Sequence, residues 1–286
     1  MSAALAIPRS RLARPRVSPA ARIQIGIFLL AYLVYSLARY VTVGDLSQAK
    51  VNANWILDFE HHLGVADEGS IQDALTGTFW LWLLNHAYLA AQLVVLPGSL
   101  VFLYRRSRPV YERLRNTILA TWLISIPVYA LFPVAPPRLA GIGMVDTVSS
   151  QTGFAMDSSL TTKFYNELAA VPSLHVGFAV AIGIAIAAAV RNPLAKVLWL
   201  LWGPTIGLAV MATGNHFVFD IVAGVVAAVL GFVLGTVTWR SLPALRDRLR
   251  GRRARRPRRR VGPLRPAFAE APAVGHHAHA AVARAA

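Results

Sequence analysis

The sequence is dominated by long runs of apolar residues rather than by a regular alternation of apolar and polar positions. A run of about 20 apolar residues is long enough to cross a bilayer as a helix. About six such runs are present, near residues 23–43, 78–104, 118–132, 172–190, 197–212 and 216–237. The pattern therefore predicts an all-α, polytopic membrane protein, built as a six-transmembrane-helix bundle.

The segment 44–76, between the first two runs, is polar and acidic. Its apolar residues recur at helical spacing, which predicts an amphipathic helix lying along the membrane surface. Those residues are Val51, Trp55, Ile56, Phe59 and Leu63. Glu60, His61 and His62 have the side chains of metal ligands, but adjacent residues do not share one helix face, so we interpret them as a solvated face.

Polar residues also interrupt the second apolar run. We expect them to form hydrogen bonds between helices, and a role in substrate binding is the less favoured alternative. They are Asn85, His86 and Gln92.

The distribution of basic residues predicts how the chain is oriented in the membrane. The formal net charge is +16, and most arginines and lysines lie in the two termini, the second–third connection and the fourth–fifth connection. The other two connections contain most of the acids. Because basic connections stay on the cytoplasmic side, both termini are predicted to be cytoplasmic. We expect a basic cytoplasmic tail over 1–22, a membrane catalytic domain over 23–239, extracytoplasmic loops over 44–76 and 134–170, and a disordered Arg/Ala/Pro-rich tail over 240–286.

Composition narrows the possible chemistry and partners. Apolar residues make up 56% of the chain and cysteine is absent, which excludes disulfides, thiolate zinc sites and a cysteine nucleophile. Beside a last membrane span, the basic tails are expected to attract anionic lipids, with no nucleic acid as partner. We place the chain in the plasma membrane, as a multi-pass protein of unknown oligomeric state.

The candidate chemistry begins with His216 and Asp220, which are four residues apart and would share one face of a helix. His175 follows Ser173 at the start of the fourth run. Ionisable groups inside a membrane are costly and by default indicate a function. The alternative is that these are interfacial histidines satisfied by the backbone or by lipid head groups.

The predicted topology brings a third group to the same side. Arg138 follows the outer end of the third run, while His175 and His216 lie at the outer starts of the fourth and sixth. A neutral imidazole oriented by a carboxylate is a competent nucleophile, and a second histidine can act as a general acid. A guanidinium matches phosphate oxygens. Together these groups favour phosphoryl transfer over acyl transfer, with no metal or other cofactor expected.

Two stretches resemble a known family. Val-Pro-Ser-Leu-His-Val-Gly at 171–177 and Asn-His-Phe-Val-Phe-Asp-Ile-Val-Ala-Gly at 215–224 are similar to the second and third motifs of the type 2 phosphatidic acid phosphatase superfamily. The similarity covers roughly 54–231 and is closest to the inositol phosphorylceramide synthase-like (inositolphosphotransferase) branch, whose first motif resembles 132–139. It implies a six-helix bundle and a metal-independent phosphohistidine mechanism.

The resemblance implies a role for each matching residue. His216 would be the nucleophile and Asp220 would orient it. His175 would protonate the leaving group, while Ser173 and Arg138 would bind phosphate.

The chain also departs from the ordinary phosphatases of that superfamily. Leu174 replaces their usual glycine, Val210 replaces an arginine, and the lysine-led first motif is absent. These departures fit the branch that transfers the group to an alcohol. We expect a lipid phosphatase or phosphotransferase that acts on a lipid phosphate, diphosphate or phosphodiester at the extracytoplasmic face. The alternative is a catalytically silent membrane scaffold or transporter of the same fold.

Overall fold

The structure is a computed structural model that describes residues 18–65, 68–153 and 166–254, with the backbone alone for 238–254. In these ranges the secondary structure is helical, apart from an isolated parallel β-bridge between Val134 and Ala169. The predicted all-α class is confirmed. The helices are α1 Pro19–Val41, α2 Leu46–Leu63, α3 Glu68–Leu75, α4 Phe79–Ala90, α5 Leu96–Arg106, α6 Arg108–Leu131, α7 Pro137–Ala140, α8 Thr147–Thr152, α9 Leu174–Ala189, α10 Pro193–Ala212 and α11 Val218–Ala254.

Among the described residues, five helices are long and apolar enough to cross a membrane, which indicates a membrane protein. They are Pro19–Val41, Phe79–Arg106, Arg108–Leu131, Pro193–Ala212 and Val218–Val237. The predicted fourth span corresponds to α9, which is apolar but has only 16 residues. Since about 20 residues cross the hydrocarbon core, the predicted count of six spans is not confirmed.

The chain divides into two compact units, Met1–Ser241 and Leu242–Ala286. α11 continues to Ala254, into the first part of the carboxyl-terminal tail, and the expected disorder of that tail stays a prediction. Residues 255–286 of that tail, and 1–17 of the amino-terminal tail, lie outside the described residues.

The connection between the second and third spans is a single residue, much shorter than the segment between residues 104 and 118 that the apolar runs predicted. α5 ends at Arg106 and α6 begins at Arg108, with Ser107 between them. The arginines there made the segment resemble a loop, but Pro109 lies in the first turn of α6, where a missing N–H costs nothing. α4 and α5 form one continuous span through a π-helical turn at Ala91–Val95.

The amphipathic segment forms two helices, α2 and α3, instead of one. Asp45 caps the start of α2 by accepting backbone N–H bonds from Ser47 and Gln48. Gly64 ends α2 with φ 69°, a left-handed conformation that glycine adopts without steric cost.

Of the polar residues in the second span, Asn85 makes the expected interhelical bonds. Its side chain donates to Gln151 Oε1 at 2.9 Å and accepts from Thr147 Oγ1 at 3.0 Å, both on α8. His86 instead pairs with the carbonyl of Trp82 on its own helix.

Backbone contacts join three distant segments beside the two motif regions. Val134 N donates to Leu168 O at 2.8 Å, and Ala135 N donates to Ala49 O at 3.1 Å. Asn52 Nδ2 of α2 donates to Pro133 O at 2.7 Å. The segment before α7 is therefore fixed both to α2 and to the chain that leads into α9.

Two glycines allow α9 and α11 to approach closely. A Cβ added at Gly177 of α9 would lie 2.5 Å from the carbonyl oxygen of Gly224, and one added at Gly224 would overlap the carbonyl of Ser173. Ordinary side chains do not fit at such separations. The two motif helices are therefore in direct backbone contact next to Ser173.

This contact predicts that Gly224→Ala destabilises the protein, because overpacking a tight contact costs about 1–3 kcal/mol. Gly98→Ala is the matched control, since a Cβ there meets no atom within 4 Å. The measurement is the melting temperature of the purified protein in detergent, monitored by size-exclusion chromatography after heating. Equal melting temperatures for the two variants would contradict the close-contact interpretation.

Candidate active site

A tight turn between α10 and α11 sets the position of His216. Gly214 has φ 69°, which favours glycine, and it follows the last turn of α10. The N–H groups of Asn215 and His216 both donate to Val210 O, at 3.0 and 3.1 Å. His216 therefore lies just before α11, which begins at Val218, and not on the helix as the spacing predicted.

Asp220, in the first turn of α11, still reaches back to His216. His216 Nδ1 lies 3.1 Å from Asp220 Oδ2, and the same oxygen accepts the N–H of Phe217 at 3.0 Å. Both side chains are buried. A carboxylate at Nδ1 places the proton on that nitrogen and leaves the lone pair on Nε2. The pair thus has the geometry of an oriented nucleophile.

The surroundings of His216 favour its neutral form. Burial, and then the nearby charge of Arg138, lower the pKa of His216 to about 3, although a hydrogen bond to the backbone of Ala170 acts in the opposite direction. The imidazole is therefore uncharged at neutral pH. Only a neutral imidazole has a free lone pair for attack on phosphorus.

His175 lies in the first turn of α9, opposite His216. Its ring stacks on Tyr88 of α4, with centroids 4.2 Å apart and planes 23° apart. The centroids of the His175 and His216 rings are 6.2 Å apart. The two imidazole rings are thus neighbours in the fold, although they come from different helices and distant parts of the chain.

Ser173 is the residue that precedes α9, and its backbone joins the two motifs. Ser173 N donates to Asp220 O at 3.0 Å. Its side chain is completely buried, yet its hydroxyl has no hydrogen-bond partner among the described residues. The first N–H groups of a helix also lack partners within the helix, so they attract anions. A buried free hydroxyl at such a helix start is a donor that a polar ligand could use.

Arg138 of α7 completes the predicted set. Its backbone N–H donates to Gly214 O at 3.0 Å, and its Nη1 donates to Asn215 Oδ1 at 2.6 Å. Its Nη2 forms an ion pair with Glu167 at 3.3 Å. The guanidinium is thereby held beside the turn that carries His216. The structure brings together all five predicted site residues, from three segments of the chain.

Sequence analysis missed a second arginine near this site. Arg39, at the end of α1, donates to Asn166 O at 2.8 Å and lies 5.7 Å from the Tyr129 ring centroid. Tyr129 in turn donates to Pro172 O at 3.2 Å. Arg39 also contributes to lowering the pKa of His216. No motif surrounds this residue, so only the fold reveals it.

Sequence analysis also did not assign Glu60 and Glu68 to the site, and Glu60 corrects the interpretation of residues 60–62 as a solvated face. Glu60 is 1% exposed, so the solvated-face interpretation is wrong for it, although His61 and His62 are exposed. Glu60 Oε1 accepts the N–H of Phe219 at 2.6 Å, and Glu68 Oε1 accepts that of Val218 at 2.8 Å. Within 18–65, 68–153 and 166–254, no three histidine or acidic side chains are grouped to hold a metal ion.

Comparison with known proteins identifies one family. The family model described as PAP2 superfamily matches residues 54–234, which is more than half of the chain. The match includes every site residue described above except Arg39. No curated protein and no solved structure matches the chain.

The depressed pKa predicts that His216 stays neutral at pH 5, whereas histidine in a model peptide is protonated below about pH 6.5. The measurement is the ring-nitrogen NMR spectrum of protein labelled with ¹⁵N-histidine, with the His216 signal identified by its loss in His216→Ala. A charged His216 at pH 5 in the ligand-free protein would contradict the burial argument.

Proposed function

Because the chain belongs to the PAP2 superfamily, we propose that it is a membrane enzyme that transfers a phosphoryl or substituted phosphoryl group from a lipid through phospho-His216. Members of this superfamily are generally phosphatases or phosphotransferases. The observation that supports the proposal most directly is the buried His216–Asp220 pair, beside the unpartnered Ser173 hydroxyl at the start of α9.

In the first step, Nε2 of His216 attacks phosphorus, and the bond from phosphorus to the leaving oxygen breaks. Asp220 accepts the hydrogen bond from Nδ1–H and stabilises the positive charge that develops on the ring. His175 in its protonated form donates its proton to the leaving alkoxide. A bound phosphate anion next to His175 favours that protonated form.

In the second step, water or an alcohol attacks the phosphorus of phospho-His216. The phosphorus–nitrogen bond breaks, and its electron pair returns to the imidazole. His175, now neutral, takes the proton of the attacking hydroxyl, so that both histidines regain their starting states. Water yields hydrolysis and an alcohol yields head-group transfer.

Phosphate binding is assigned to Arg138, Ser173 and the backbone N–H groups at the start of α9. A guanidinium donates two parallel hydrogen bonds to phosphate oxygens, and the free Ser173 hydroxyl supplies one more. These donors stabilise the charge that spreads over the equatorial oxygens in the transition state.

Within the superfamily, we assign the chain to the inositolphosphotransferase-like type. We further propose that the protein lies in the plasma membrane, with its active site on the extracytoplasmic side. The absence of arginine at Val210 and of glycine at Leu174 supports that type. The alternation of basic and acidic connections supports the orientation.

We predict that His216→Ala abolishes turnover, because no other group replaces the nucleophile. Purified protein is assayed with EDTA present on a panel of lipid phosphates, diphosphates and phosphodiesters, with and without an alcohol acceptor. A ³²P-labelled substrate should label the wild type and not the variant. Absence of turnover in folded wild-type protein across the panel would favour the scaffold or transporter alternative.

We predict that His175→Ala slows substrates with a poor alkoxide leaving group by about 100-fold or more, a typical contribution of general-acid catalysis. The rate of the variant on substrates that release p-nitrophenolate should fall much less, because that leaving group needs no proton. Equal losses for both substrate classes would assign His175 a role other than that of leaving-group acid.

A further inference from the structure

The first turn of α11 is held by three acids from three helices. Consecutive N–H groups at Phe217, Val218 and Phe219 donate to Asp220 Oδ2, Glu68 Oε1 and Glu60 Oε1, at 3.0, 2.8 and 2.6 Å. Such N–H groups have no partner within their own helix, and the positive end of the helix dipole favours acidic acceptors. Glu60 and Glu68 are more than 140 residues away in the sequence, on α2 and α3.

We infer that Glu60 and Glu68 are positioning residues which hold the start of α11, and with it the His216–Asp220 pair, through these two backbone hydrogen bonds. The inference rests on the proposed role of His216 as nucleophile. Phe219 and Val218 lie between the two members of the pair, so a shift of their backbone moves Asp220 relative to His216. A misplacement of about 1 Å is enough to reduce a rate by about 100-fold.

The three acids do not all bear a negative charge. Burial, followed by the charges of Glu68 and Asp220, raises the pKa of Glu60 to about 8, although the N–H of Phe219 acts in the opposite direction. Glu60 Oε2 is buried without a hydrogen-bond partner in the described structure, and a buried oxygen that accepts no hydrogen bond disfavours the charged carboxylate. Glu60 therefore acts as a neutral acceptor at neutral pH, beside the carboxyl groups of Glu68 and Asp220.

The other charged groups around Glu60 do not cancel this repulsion. α7 also packs on α2, but its Arg138 is paired with Glu167 and bonded to Asn215. Ionising Glu60 would thus place a negative charge next to two other acidic side chains, Glu68 and Asp220, at the start of α11. We expect the catalytic rate to fall as the pH rises through about 8.

Stability should change over a different pH range. An unfolded glutamate loses its proton near pH 4.5, whereas native Glu60 keeps it to about pH 8. The native state therefore binds more protons between these values, and the free energy of unfolding falls with rising pH across that window. Above about pH 8 the contribution of Glu60 becomes constant.

The test compares Glu60→Gln, Glu60→Ala and Glu68→Ala with Asp58→Asn, an exposed acid on the same helix. Glu60→Gln should keep kcat within about twofold at pH 7, because its amide oxygen accepts from Phe219 as the neutral acid does. It should also lose the decline in rate above pH 8. Glu60→Ala and Glu68→Ala should lower kcat by about tenfold or more with little change in KM, because the His216–Asp220 alignment relaxes.

A second readout needs no turnover. In ¹⁵N-histidine spectra, Glu60→Ala should change the ring-nitrogen shifts of His216, while Glu60→Gln and Asp58→Asn should leave them as in the wild type. Unchanged kcat and His216 shifts in folded Glu60→Ala would overturn the positioning role. If Glu60→Ala does not fold, unchanged kcat and unchanged His216 shifts in folded Glu68→Ala would overturn it instead. Either result leaves the proposed phosphohistidine chemistry intact, since that depends on the His216→Ala assay.

Discussion

The backbone N–H groups in the first turn of the last helix, α11, need hydrogen-bond acceptors that the helix backbone does not supply. These N–H groups lie in buried or partly buried positions at one end of an apolar helix, and an unsatisfied buried donor costs about 1–3 kcal/mol. Asp220, Glu68 and Glu60 supply the acceptors. Because two of these acids come from α2 and α3, the polar segment after the first span is hydrogen-bonded to the start of α11.

Other contacts bring the remaining parts of the site together from distant segments of the chain. The segment before α7 is bonded both to α2 and to the strand-like residues that precede α9. α9 in turn contacts α11 through the backbone at Gly177 and Gly224. Each connection fixes one element that carries a site residue, so Arg138, His175 and His216 converge although none is a neighbour of another in the sequence.

The sequence predicted which residues come together at the candidate site better than it predicted the residues that support them. His216, Asp220, His175, Ser173 and Arg138 were identifiable because each lies in a motif or at a span end on one predicted membrane face. Glu60 was missed because it belongs to an acidic, amphipathic segment where most acids are solvated, and no local pattern shows that its partner lies near residue 219. Arg39 was missed for a similar reason. Tertiary contacts alone determine these two positions.

The predicted boundary between the second and third spans was wrong because a run of basic residues does not always mark a loop. The arginines of 105–115 indicated a loop, yet they flank a break of one residue between α5 and α6. Long basic side chains extend to water from the ends of apolar helices, so basic residues mark the end of the hydrocarbon layer rather than the end of a helix.

The arrangement of charges also determines how an anion would enter the proposed site. Arg138 is already paired with Glu167, and its side chain is 3% exposed, whereas that of Glu167 is 21% exposed. A buried guanidinium left without a partner is costly, so the carboxylate stabilises it while no substrate is present. A phosphate group offers the same planar fork more negative charge and more acceptors. The proposed phosphate site therefore requires Arg138 to exchange Glu167, the more exposed partner of the ion pair, for the phosphate.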